Sequence, residues 1–162
     1  MNIIPSVVGG LAGAVAVTLL NEIVKKYDPD APRLDLLGMS AVTKGFKKAD
    51  EKVPAKKDQY KYSLVADLVS NTIFFAMAGK GSARKALTKG SLLGLTAGLG
   101  AIFAPEPLGL DAKQTNRTKK TQFMTVAYYL IGGLVAGAVG KMLTKEPQIR
   151  INPALRKPLL QK

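Results

Sequence analysis

Thr121-Gln122-Phe123-Met124-Thr125-Val126-Ala127-Tyr128-Tyr129-Leu130-Ile131-Gly132-Gly133-Leu134-Val135-Ala136-Gly137-Ala138-Val139-Gly140 runs for twenty residues without a charged side chain. Wound as a helix at 1.5 Å per residue, it matches the ~30 Å hydrocarbon core of a bilayer. Arg117, Lys119 and Lys120 stand before it and Lys141 after it, where cations meet headgroups. This stretch sets the class as an all-α integral membrane bundle.

Working outward, the same signature recurs. Residues 1–21 carry no charged side chain until Glu22, so a helix over about 5–24 also spans the core. Pro5 suits its first turn, and Asp28-Pro29-Asp30-Ala31-Pro32 stops it. A cleaved signal peptide is the rival reading, but a basic leader before the apolar run is missing. Two shorter runs, 63–79 and 87–105, complete a bundle of about four transmembrane helices. The first of these contains Asp67 and Asn71. The second is glycine-rich, and a re-entrant half-helix competes with a full span there.

Between the apolar runs the chain is polar and basic. Leu36, Met39, Val42 or Thr43, and Phe46 recur at helical spacing within 34–48, while Lys44, Lys47 and Lys48 project elsewhere. That pattern predicts an amphipathic helix, either interfacial or solvated and packed on its own protein. Residues 50–61 read as a flexible loop, and 105–110 as a helix break. The bundle thus covers 1–145, followed by an extended basic tail over 146–162 with Pro147, Pro153 and Pro158.

The net charge of +13 comes from 24 Lys+Arg against 11 Asp+Glu. Because the cations flank apolar runs, they read as topology signals and contacts to anionic headgroups of the bilayer, and no nucleic-acid partner is expected. In a four-span chain, the side holding 25–62 and 105–120 carries the larger share of Lys and Arg. That puts both termini outside the cytoplasm, and a re-entrant third segment would move the tail inside. Cys and His are absent, which removes thiol and imidazole chemistry and Cys/His zinc sites. No phosphate loop, dinucleotide fingerprint, HExxH or CxxC is present. The expectation is therefore no catalytic residue, no metal and no cofactor.

Gly9 and Gly13, then Gly90, Gly94 and Gly98, then Gly133 and Gly137 repeat at four-residue spacing. Each set occupies one helix face and allows close backbone approach, within one bundle or across a glycine-zipper oligomer interface. A second feature is polar. Four consecutive spans bring the end of the first, the start of the second, the end of the third and the start of the fourth to one membrane face. Asn21, Glu22, Asp67, Asn71, Asn116, Arg117 and Gln122 gather there, with Asp67 and Asn71 one turn apart. Glu22 and Asp67 are expected to meet near Arg117. Ionisable groups at such depth suggest function by default. The leading reading is an ion-pair and hydrogen-bond knot, with proton or cation handling next.

A glycine-rich first helix ending in Asn21-Glu22, a later Asp67-Leu68-Val69-Ser70-Asn71, and Asn116-Arg117-Thr118 before the last helix resembles small bacterial multi-pass membrane proteins with no assigned activity. The resemblance implies a bacterial cytoplasmic (inner) membrane and no reaction. The function expected is a non-catalytic structural or accessory component, as a homo-oligomer or beside a membrane protein partner. A small proton or cation channel or carrier using Glu22 and Asp67 is the alternative. A lipid-modifying enzyme using the same carboxylates is a third.

Overall fold

A computed structural model describes residues 3–79 and 83–144; the tail 146–162 lies outside the described residues. The elements are α1 (Ile4–Val24), α2 (Leu34–Lys48), α3 (Lys56–Ala76, continued by a 3-10 turn over Met77–Gly79), α4 (Ala83–Phe103), α5 (Lys113–Asn116) and α6 (Lys119–Leu143). No strand occurs among the described residues. Three helices, Ile4–Val24, Arg84–Phe103 and Lys119–Leu143, are long and apolar enough to cross a membrane. The glycine-rich third run forms one unbroken helix of 21 residues.

α3 begins at Lys56, seven residues before the apolar run expected from 63. The cause is tertiary. The Thr43 hydroxyl of α2 donates to the Gln59 side-chain carbonyl at 3.0 Å, and the Phe46 ring stacks on Tyr62 with centroids 6.2 Å apart. These contacts order two extra turns that composition assigns to a loop. α2 thus packs antiparallel along the start of α3, with Gly38 against Ser63.

The four long helices form a row, α3–α1–α6–α4, with neighbours antiparallel. α6 is the shared middle member and carries two adjacent seams. Gly132, Ala136 and Gly140 face Gly9 and Gly13 of α1, while Gly133 and Gly137 face Ala86, Gly90 and Gly94 of α4. A Cβ on Gly9 would come within 2.6 Å of the Ala136 carbonyl oxygen, so the backbones lie in direct contact there. Gly98 meets Val126 in the same α4–α6 seam, and Gly10 meets Thr72 and Ala76 of α3. Every glycine picked out by spacing therefore sits in a helix contact within the chain. Val17, Phe75, Tyr128, Tyr129 and Ala136 fill the centre.

The outward faces are apolar. Leu11, Val15, Leu19 and Ile23 of α1 are exposed, as are Leu92, Leu95, Leu99 and Phe103 of α4. α3 and α4, the two ends of the row, touch little along their length. The turn Met77–Gly79 brings them together at one end by packing on α1, α4 and α6.

Candidate functional site

Asn21, Glu22, Asn116, Arg117 and Gln122 lie at the end of the bundle that holds α2 and α5, in two clusters, whereas Asp67 and Asn71 lie further along α3. The first joins α1 to α2. Asn21, 3 % exposed, accepts the Leu34 backbone N–H at 3.1 Å. Arg33 makes no side-chain cap, so α1 supplies the acceptor that α2's first turn needs. Glu22 binds Lys25 at 2.6 Å, and the same ammonium reaches Asp35 at 3.1 Å. Arg33 then grips Asp35 with two bonds, Nε at 3.0 Å and Nη2 at 2.8 Å. Lys25 also lies 5.7 Å from the centre of the Tyr60 ring.

These contacts set the charge states. Burial pushes the Asp35 carboxyl up, but the hydrogen bonds and charges of Arg33 and Lys25 outweigh it and hold it at about 2. Burial also disfavours the Lys25 cation, and the two carboxylates more than compensate, raising its pKa. The chain Glu22–Lys25–Asp35–Arg33 is balanced in sign.

The second cluster joins α6, α5 and the 28–32 turn. Arg117 does not turn to Glu22 or Asp67. Its Nη2 donates to the Pro29 carbonyl and, at 2.9 Å, to the Ala31 carbonyl. The physical reason is that a turn just past α1 presents carbonyls with no helical partner, and the two N–H groups of one Nη2 serve two of them. The Thr121 hydroxyl donates to the Asp30 carbonyl at 2.8 Å and Lys120 pairs with Asp28 at 2.7 Å. That Lys120 hydrogen bond, with one from the Asp30 N–H, lowers the Asp28 pKa. α5 plugs the end of α4: Thr115 donates to the Ala101 carbonyl at 2.6 Å and Asn116 to the Ile102 carbonyl at 3.4 Å. Gln122 donates to the Asn116 carbonyl at 3.1 Å, and Thr125 to the Thr115 carbonyl at 3.0 Å. Thr118 caps α6 by accepting the Thr121 N–H at 3.0 Å.

Asp67 and Asn71 stand apart from both clusters. Asn71 donates to Asp67 at 2.9 Å across one helical turn, and the Tyr129 hydroxyl interacts with Asn71. Glu22 and Asp67 nevertheless line one small cavity with Thr18, Asn21, Asp35, Tyr60 and Ser63. Its volume of about 20 Å³ suits a single water. Among the described residues, no group of three His, Cys, Asp or Glu is placed to hold a metal ion.

Sequence reasoning missed Lys25, Arg33 and Asp35, and the threonines at 115, 121 and 125. Lys25 was findable, since it lies three residues after Glu22 on one helix face. Thr121 and Thr125 share a face in the same way. Asp35 and Thr115 act across chain turns that spacing does not reveal. Comparison of the chain with protein-family models, curated proteins and solved structures returns no match in any of the three.

Proposed function

We propose that this chain is a four-span integral membrane protein of a bacterial inner membrane, serving as a non-catalytic structural or accessory component of a membrane assembly. The observation that carries the reading is the Glu22–Lys25–Asp35–Arg33 chain, in which each charge has an opposite partner within 3.1 Å. Carboxylates spent on fixing helices are not poised for a substrate. The adjoining cavity of about 20 Å³ has room for about one water.

The fourth span in this reading is α3. Ser63 and Asn71 are buried, while Tyr62, Val65, Val69, Ile73 and Met77 are exposed. A helix with polar groups inward and an apolar outer stripe fits a lipid surround. α2, with Lys44, Lys47 and Lys48 exposed, would lie at the headgroup level on that face. Extraction in mild detergent should give a particle larger than one protomer, by self-association or a co-purifying membrane protein. A strictly monomeric particle without a companion protein overturns the assembly role.

Proton or cation handling is the second reading, favoured by the shared cavity of Glu22 and Asp67. It requires flux in liposomes that Asp67→Asn abolishes. Equal flux in parent and variant, or none in the parent, removes it.

A further inference from the structure

The two ends of the helix row leave a groove between them. It lies between α3 and α4, has a volume of about 480 Å³, and is floored by Asn71 and Tyr129. That volume falls within the ~300–1,000 Å³ of small-molecule sites. Phe74 and the small residues Ala97, Gly100, Ala101 and Ala104 line its length, and Leu37, Leu108 and Leu110 rim its mouth. We propose that this groove holds one acyl chain of an anionic glycerophospholipid, with the headgroup phosphate at Lys44. The proposal rests on the four-span reading, which puts the groove in hydrocarbon.

Depth selects the occupant. The α4 residues along the groove, Thr96 to Ala104, cover about 12 Å of helix axis, less than one leaflet's half of the ~30 Å core. Beyond it, the Met77–Gly79 turn closes α3 onto α4 and α6. A transmembrane helix from a partner needs a channel through both leaflets; an acyl chain needs one. The inner end makes no demand on the occupant either, because Asn71 already serves Asp67 and interacts with Tyr129.

Charge selects the headgroup. The Lys44 ammonium donates to the Leu108 carbonyl, which fixes a cation on the loop that rims the mouth. A Cβ on Gly109 would lie 2.6 Å from that nitrogen; its backbone has φ +63, the left-handed region that favours glycine.

Gly100 makes the proposal testable. It lines the groove, yet a Cβ built there meets nothing within 4 Å. A side chain at 100 therefore starts in open space, and Gly100→Leu is the variant that obstructs the groove. Parent protein and variants would be purified in mild detergent, mixed with equal phosphatidylglycerol and phosphatidylcholine, and weighed by native mass spectrometry. The expected result is one retained phosphatidylglycerol per parent chain, at least a tenfold loss in Gly100→Leu, and retention in Leu92→Phe on the outer face. Lys44→Gln should cut the preference for the anionic lipid about fivefold, as expected for one basic residue at a lipid surface. Undiminished lipid in Gly100→Leu, no lipid on the parent, or a protein seated instead of lipid overturns it. Labelling of Lys57→Cys and Thr88→Cys from the two sides of sealed vesicles tests α3 separately. Opposite-side labelling with undiminished lipid in Gly100→Leu removes the lipid site and keeps the four spans; same-side labelling removes the four spans.

Discussion

Gly90 and Gly133 sit so close that each occupies the space where the other's side chain would begin: a Cβ on either would overlap the partner's carbonyl. The α4–α6 seam is therefore built from backbone against backbone, and dispersion contacts between closely approaching helices hold it.

Gly133→Ala should lower the unfolding temperature in detergent sharply, with an overpacking cost of about 1–3 kcal/mol or more. Gly100→Ala on the same side of the bundle should leave it unchanged or raise it, since helix propensity favours Ala by about 1 kcal/mol. Equal effects of the two substitutions would contradict the seam.

Asn21→Ala removes the only side-chain acceptor seen for the buried Leu34 N–H. Orphaning a buried donor costs about 1–3 kcal/mol. Hydrogen exchange should quicken at Leu34 while the middle of α1 stays protected.

Arg117→Lys should fail to replace the parent residue, because Nη2 alone serves both the Pro29 and Ala31 carbonyls and a lysine ammonium ends one bond short of it. Limited proteolysis within 28–32 should rise in Arg117→Lys and Arg117→Ala alike. Full protection in the lysine variant would show that charge alone suffices.

The Asp35 carboxyl is held at about 2, below its usual value of ~3.9 in an unfolded chain. Its contribution to stability is thus fully present above that value and is lost as pH falls towards 2. Detergent-solubilised protein should unfold more readily in that window, and Asp35→Asn should flatten the acid dependence. A parent stability independent of pH between 4 and 2 would contradict the ion-pair chain.

α1 and α6 were legible nearly to the residue, because a charge-free run of twenty residues has few alternatives as a structure. α4 was legible as a helix once its glycines were read as packing residues. α3 was half legible: Lys56–Tyr62 looks like a loop on composition and becomes helical only through Thr43 and Phe46 of α2. In the polar region the spacing brought Asn21, Glu22, Asn116, Arg117 and Gln122 to one end of the bundle but paired them wrongly, and it placed Asp67 and Asn71 too near that end. Arg117 found backbone carbonyls, which no pattern of side-chain types displays. Glu22 found Lys25, a local partner passed over for a distant one. Side-chain identity announces charges, whereas the open carbonyls of the 28–32 turn exist only once the chain has folded.

The two-seamed middle helix has a consequence for biosynthesis. α6 is translated after every other described helix, yet α1 and α4 meet chiefly through it. Until it is made, the earlier helices lack their main partner. A ribosome that stops before residue 119 would release a loose set of segments with bare glycine faces, a natural substrate for proteases. Among the described helices, the keystone arrives last.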